Sequence, residues 1–345
     1  MEDTADFRSD TFTMPDEAMR QVIYQAEVGN AGFGEDPSVN HLEKTMADYF
    51  GCDDSIFLPS ATMANQVAIA VWTRPGDTVV IERFGHSYFF ESGAMSAIAG
   101  AQARLLDGDK GIMSPAEIEM AISSEGGHGE KISLVVLENS SNYGGGTIYP
   151  ESSLKAIFDI ASARQLPVHV DGARIWNVIA ETGAEPGQLL QAGGSMSVCF
   201  SKGLGAPMGA ALLGTKDFIT EARRIQTMLG GSMRQVGFMA AAAQHSFENN
   251  RERLVEDHRN ARFLAEGLQK LDGISIDLDS VQTNMVYIDV LAGSDRASQV
   301  ISQMDQQGVR ALSLGAKIRL VTSMLVDRQD CEKAVQVFGE VISQQ

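Results

Sequence analysis

Cysteine is scarce in this chain, with only Cys52, Cys199 and Cys331 in 345 residues and no metal-type spacing among them. So low and odd a count argues against a disulfide scaffold and for a reducing, cytoplasmic setting. Long apolar runs are missing too: none approaches the roughly 20 residues of a membrane span. The first six residues are acidic and lack the basic and apolar regions of a secretion signal. Positive charge is short: 27 Lys and Arg face 45 Asp and Glu, a formal net charge of -18. A surface of that sign repels phosphate backbones, which argues against nucleic-acid binding. There is no internal repeat, low-complexity tract or long linker.

What is present is ordinary globular composition, 44% hydrophobic and 21% charged. The length suggests two domains. We place an N-terminal arm and a large domain over 1–248, and a small α/β domain over 249–345. Short apolar runs at 55–59, 78–82, 101–106, 134–138, 168–170, 195–200 and 210–213 read as strands. Helical spacing fills 16–28, 38–50, 60–72 and 154–164, with Ser38 as N-cap and Gly51 as stop of the second. Continuous apolar strands separated by amphipathic helices predict a mostly parallel sheet with both faces covered. Beyond 250, helices at 252–271, 295–307 and from 328 alternate with strands at 274–278, 285–288 and 318–322.

In a parallel sheet, ligand-binding groups gather at the carboxyl ends of strands. Four segments stand there. Lys202 follows the run 195–200 beside Ser201, with Gly203 and Gly205 after it. Partial desolvation at such a turn frees a lysine amine for imine formation. Asp171 ends the run 168–170 and precedes Gly172-Ala173-Arg174. A carboxylate there can pair with the ring nitrogen of pyridoxal 5'-phosphate and keep it protonated. Ser60 to Asn65 opens a helix after a strand, where backbone N–H groups bind phosphate. His86 follows the run 78–82 and can stack on an aromatic cofactor. Alone, each has a plain explanation: a surface lysine, a capping Asp, a capping Ser, a structural His. Together and in this order they specify much more.

With these residues in view, the chain resembles the L-threonine aldolase family of fold-type I pyridoxal-phosphate enzymes, in the β-eliminating lyase group. The similarity runs over nearly the whole length. It includes residues 7–11, Gly34-Glu35-Asp36-Pro37, residues 60–65, Arg74-Pro75-Gly76-Asp77, Leu137-Glu138-Asn139, residues 171–174, 201–207 and 228–235, and Arg319-Leu320-Val321-Thr322. The resemblance implies a transferase-like α/β fold with a large, mostly parallel sheet and a small C-terminal domain. It implies that Lys202 holds the cofactor as a Schiff base, that Asp171 meets the ring nitrogen, and that His86 stacks on the ring. Ala61 and Thr62 would bind the phosphate with Asn65 nearby, and Arg234 would reach the phosphate of a neighbouring subunit. Ser9, Arg174 and Arg319 would hold the α-carboxylate of an amino-acid substrate, a task suited to the planar fork of arginine. The family implies a homo-oligomer, a dimer of dimers.

Four positions depart from that family. Phe33 stands for Tyr, Ser141 for His, Ser323 for His, and Ala61 for Gly. Cleavage of a β-hydroxy-α-amino acid needs a base near the β-hydroxyl, and Ser141 lies where the family carries a candidate contact to that group. Phe33 makes the pocket more apolar. The expected reaction is cleavage of an L-threonine or L-allo-threonine type substrate to glycine and an aldehyde. The alternative is a pyridoxal-phosphate lyase, racemase or cyclase acting on another, modified amino acid.

Overall fold

The computed structural model describes residues 4–123 and 129–343. Its centre is a seven-stranded sheet in the order Asp54–Leu58, Ala210–Gly214, Ser195–Cys199, Val168–Gly172, Ile132–Glu138, Thr78–Glu82, Gln102–Leu106. Ala210–Gly214 runs against both its neighbours, and the other pairings within the sheet are parallel. Every residue of Ile132–Glu138 and of Val168–Gly172 is buried. That is why Leu134 to Leu137 form a continuous apolar run: helices cover both faces. In Val168–Gly172 the buried His169 and Asp171 interrupt that pattern. On one face Leu42, Met46, Phe50, Ile157 and Trp176 pack into the largest core cluster. On the other, Ala64, Val67 and Ala68 of helix Ala61–Trp72 pack with Phe218 and Ile219 of helix Lys216–Met228.

A second sheet orders Leu312–Leu314, Lys317–Val321, Met285–Val290 and Ile274–Ser275, all antiparallel. Helices Leu254–Leu268, Ser294–Gln306 and Arg328–Ile342 cover it. The expected strand at 274–278 is shorter than its apolar pattern suggests. It stops at Ser275, and Asp277 caps a 3-10 turn, Leu278–Ser280, by accepting from Asp279 N–H at 3.0 Å.

The beginning of the chain belongs to this second layer. Ala5–Asp6 pairs parallel with Val309–Arg310, and Val321 donates to the carbonyl of Phe7 at 2.8 Å. Ala5 and Phe7 are buried in the C-terminal core. This anchorage sets Ser9 and Asp10 where the two sheets meet. Among the described residues, no helix is long and apolar enough to cross a membrane.

The cap of helix Pro37–Phe50 also differs from the sequence expectation. Pro37 occupies the first turn, so the cap is Asp36, not Ser38. Asp36 is fully buried and accepts from Val39 N–H at 3.1 Å, Gly29 N–H at 3.2 Å and Gly237 N–H at 3.0 Å. Ser38 instead donates to the carbonyl of Glu27. One carboxylate thus ties a cap, a loop and the start of helix Gly237–Asn250. Asp36→Ala strands two buried donors and a half-buried one and is expected to destabilise the fold by about 3 kcal/mol, read as the shift in urea midpoint. A loss under about 0.5 kcal/mol would show that water replaces the carboxylate.

Candidate active site

Asp171 is the next-to-last residue of strand Val168–Gly172 and is 1% exposed. The following residue is Gly172 because a Cβ there would lie 2.5 Å from the carbonyl of Ser197 on the next strand. Asp171 Oδ1 accepts from Ala173 N–H at 3.1 Å. Its Oδ2 accepts from the Asn65 amide at 2.7 Å and from the Ser87 hydroxyl at 3.2 Å. The next strand, Ser195–Cys199, leads to Lys202, which is half-buried. The turn around Lys202 is pinned through its carbonyl, which accepts from Thr13 Oγ1 and Gly205 N–H, both at 2.9 Å. Gly205 sits at φ 82, a left-handed conformation that favours glycine. The Lys202 charge lowers the pKa of Asp10 and opposes protonation of His86, so its amine stands within the field of both.

His86 opens the short helix His86–Phe89 after strand Thr78–Glu82. Its Nδ1 lies 3.0 Å from Glu91 Oε1, and its N–H donates to Glu138 Oε2 at 2.9 Å. A ligand-type atom from each of His86, Glu91 and Asp171 lies within 4.8 Å of the others. Burial works against a charged His86, but the Glu91 hydrogen bond and the Asp171 charge outweigh it and raise its pKa. Glu138 ends strand Ile132–Glu138 and accepts from Asn142 N–H at 2.9 Å as well. Burial, with the Asp171 charge added, pushes Glu138 up to about 7 against the pull of His86 and the two N–H groups.

The arginines follow. Arg174 is 5% exposed, and Asp10 takes both its Nε at 2.8 Å and its Nη2 at 2.7 Å. Burial of Asp10 is overcome by this pairing, which brings its pKa down to about 2. Asn142 Oδ1 joins the two arginines, accepting from Arg174 at 3.4 Å and Arg319 at 3.2 Å. Arg319 lies on strand Lys317–Val321 and also donates to the carbonyl of Arg8. Its Nε is buried and has no hydrogen-bond partner. Arg174 is therefore already paired, and Arg319 keeps a buried donor to spare. Ser9 is buried beside them, capping the turn Asp10–Phe12 and lying 3.4 Å from Asp10 Oδ1.

At the start of helix Ala61–Trp72, Ser60 accepts from Met63 N–H at 3.1 Å, while Thr62 is exposed. The first N–H groups of a helix have no partner within it, so those of Ala61 and Thr62 can form an anion cradle. Asn65 does not serve that cradle. It is fully buried one turn later, its amide committed to Asp171 and to Glu91 Oε1 at 3.0 Å. Ser141 is also placed otherwise than expected. It is 2% exposed and accepts from Gly144 N–H at 3.1 Å. A Cβ on Gly111 would lie 2.0 Å from its hydroxyl, so the side chain is turned into the glycine-rich turn. Phe33, at 77% exposure, and Arg234 lie on adjoining exposed loops, with the Arg234 guanidinium against Gly32. Ser323 is buried in the turn after Val321 and accepts from Leu325 N–H.

Sequence reasoning missed Asp10, Glu91, Glu138 and Asn142 as members of this site. Asp10 and Glu138 carried a signal, since each lies inside a segment quoted for the resemblance. Asn142 sat beside the altered Ser141. Glu91, an acid amid aromatics, had none.

The donor set suits pyridoxal 5'-phosphate: an amine, a buried ionisable carboxylate held by three donors, an imidazole, a helix start and an arginine with a free buried N–H. A family model described as beta-eliminating lyase matches residues 6–291. The chain is 36% identical over 325 residues to a low specificity L-threonine aldolase of Escherichia coli O157:H7, covering 94% of this chain and 95% of that one. It is 34% identical over 344 residues to a probable low-specificity L-threonine aldolase of Arabidopsis thaliana, covering 98% and 97%. The threonine aldolase structure of Leishmania major matches with a TM-score of 0.85 at 19% identity, covering 98% of this chain and 100% of that one. The fold is that of the fold-type I pyridoxal-phosphate enzymes, and the chain belongs to the beta-eliminating lyase family, in its L-threonine aldolase group.

Proposed function

We propose that this protein is a pyridoxal-phosphate-dependent aldolase that cleaves a β-hydroxy-α-amino acid of the L-threonine or L-allo-threonine type to glycine and an aldehyde. One observation carries the reading. The Lys202 amine and the Asp171 carboxylate stand at the ends of neighbouring central strands, and Asn142 links Arg174, just beyond Asp171, to Arg319 with its unpartnered Nε. Bound there, the cofactor supplies an electron sink for the pair released as the Cα–Cβ bond breaks.

The chain's own residues do the rest. Lys202 holds the cofactor's aldehyde carbon, and Asp171 holds a proton on its ring nitrogen. The N–H groups of Ala61 and Thr62 take the phosphate. His86 flanks the ring. The α-carboxylate sits on Arg319, with Ser9 and the Asp10-paired Arg174 alongside. That grip sets which bond at Cα stands across the ring, which is catalysis by positioning. With Ser141 turned away, His86 is the nearby base for the β-hydroxyl proton. Its Nδ1 is held by Glu91, which leaves Nε2 for the substrate. Arg234 and Phe33 are exposed in the single chain and fit a site completed by a second subunit, in a homotetramer arranged as a dimer of dimers. Three unpaired cysteines support a cytoplasmic protein.

Purified enzyme should show the visible absorbance of bound cofactor and release glycine plus aldehyde from L-threonine and from phenylserine. Lys202→Ala should lose both. Exchange of the Cα proton in deuterated water without cleavage of any β-hydroxy amino acid would overturn the aldolase reading. Arg319→Lys keeps the charge but loses the fork, and should raise KM for the amino acid about tenfold or more with a smaller change in kcat. An unchanged KM would remove Arg319 from the carboxylate site.

The pH profile tests the base. His86 accepts a proton only when neutral, and its raised pKa sets the acid limb of activity at higher pH than an ordinary imidazole would. Glu91→Gln removes the main group that raises this pKa. The acid limb of kcat should therefore move to lower pH in that variant. A limb that stays in place would assign the base elsewhere.

A further inference from the structure

Beneath Asp171 lies a column of buried polar side chains that the roles above leave unused. In the register of strands Val168–Gly172 and Ser195–Cys199, His169 pairs with Ser195 and Asp171 with Ser197. Residues two apart on a strand share a face, and both pairs meet helix Ala61–Trp72 through Asn65 and Trp72. His169, Ser195, Ser197 and Asn65 are each 0% exposed. The middle of a covered sheet is where apolar side chains belong, and buried polar groups there are costly unless all are satisfied.

These groups are satisfied in one direction only. The Asn65 amide nitrogen faces two carboxylate oxygens, Asp171 Oδ2 at 2.7 Å and Glu91 Oε1 at 3.0 Å. An amide oxygen in that place would oppose both, so the nitrogen must point there. Asn65 Oδ1 is then left to accept, from Ser197 Oγ at 2.7 Å and from His169 Nε2 at 3.1 Å. His169 must carry its proton on Nε2. Its Nδ1, 2.9 Å from Ser195 Oγ, becomes an acceptor for that hydroxyl. Ser195 Oγ in turn accepts from Trp72 Nε1 at 2.9 Å, and an indole can only donate. The chain of donors runs from Trp72 through Ser195, His169 and Asn65 to Asp171 without a mismatch. Burial pushes His169 down to about 4, against the Asp171 charge and a hydrogen bond to the Ser195 backbone, which keeps the ring neutral.

We propose that His169 is a positioning residue for the reaction: with Ser197 it locks the Asn65 amide so that Asn65 always donates to Asp171, holding that carboxylate aimed at the cofactor's ring nitrogen. This rests on the reading of Asp171 as the partner of that nitrogen. Without the two donors on Oδ1, Asn65 is held at its nitrogen end only, and the amide can swing off Asp171. The carboxylate would then hold a proton more readily and the ring nitrogen less so.

The test uses holoenzyme loaded with cofactor labelled with 15N in the ring. In His169→Phe, which keeps a ring but no donor, the 15N resonance should move from the protonated toward the unprotonated position. The cofactor dissociation constant should rise about tenfold, and kcat should fall about tenfold with KM within about twofold of wild type. His169→Gln places an amide near the lost Nε2–H and should recover most of the resonance position and of kcat. Should His169→Phe fail to fold, Ser197→Ala removes the other donor at little change in volume and should move the resonance the same way, with kcat about threefold lower. An unmoved resonance with kcat within about twofold of wild type, in whichever of the two folds, overturns the positioning role. If wild type binds no cofactor, or its ring nitrogen is unprotonated, the Asp171 reading and this inference fall together. A protonated wild-type nitrogen that is unmoved in the variants sinks the inference alone.

Discussion

The site depends on one buried ion pair. Asp10 and Arg174 have side chains only 0% and 5% exposed, and both guanidinium bonds to the carboxylate are short and parallel. Two charges taken out of water cost several kcal/mol each, and only such bidentate geometry offsets that. The pair joins two parts of the chain that folding must bring together. Asp10 stands at the end of an arm paired with the second sheet, and Arg174 stands at the carboxyl end of a central strand. Asn284 at 3.3 Å from Asp10 and Asn142 between the arginines extend the joint. Because the folded Asp10 pKa is held at about 2, below its ordinary value, the pair's stabilisation is full at neutral pH. It is lost only as pH falls from about 4 toward 2. Across the working range of the enzyme this joint does not titrate.

Glu138 does not share that constancy. Asp171, Glu91 and Glu138 crowd one end of the site, and each is held by different donors. Asp171 receives an amide, a hydroxyl and a backbone N–H. Glu91 receives two amides and faces His86. Glu138 receives only backbone N–H groups, from the His86 turn and the Asn142 turn. It is also the acid whose pKa rises to about 7. The crowding is thus relieved unevenly: Asp171 has the most varied set of donors, while burial and the Asp171 charge raise Glu138.

Much of this was legible in the chain before its fold was known. Parallel strands buried on both faces announce themselves as short apolar runs. Lys202, Asp171 and His86 follow such runs directly. What could not be read depended on distant partners. The strand Ala5–Asp6 has two residues, too few for any pattern, and pairs with residues some 300 positions away. Asn65 reads as part of a helix start, and only the meeting of one helix with two strands turns it toward Asp171. Asp36 outcompetes Ser38 as a cap because Pro37 takes the first helical position and because two loops also need the carboxylate.

The departure at Ser141 looks different once its surroundings are known. In sequence it reads as a lost base. In the fold, Lys110, Gly111 and the turn Gly144–Gly146 close around it: a Cβ on Gly144 would lie 1.9 Å from the carbonyl of Lys110. Thr147 and Thr283 close the same turn through the carbonyls of Lys110 and Gly146. An imidazole has no room there unless the Gly111 segment moves, so a small residue at 141 is a packing requirement of this loop. Next to Asn142, Tyr143 stacks on Phe84 with centroids 4.1 Å apart, and Phe89 meets Phe84 edge-on at 5.4 Å. The polar change at 141 thus sits beside an aromatic wall on the His86 loop. The loop without a titratable group at 141 faces a more apolar neighbourhood, and on the proposed reading the proton chemistry falls to His86, the imidazole whose ring Glu91 holds and whose backbone N–H Glu138 accepts.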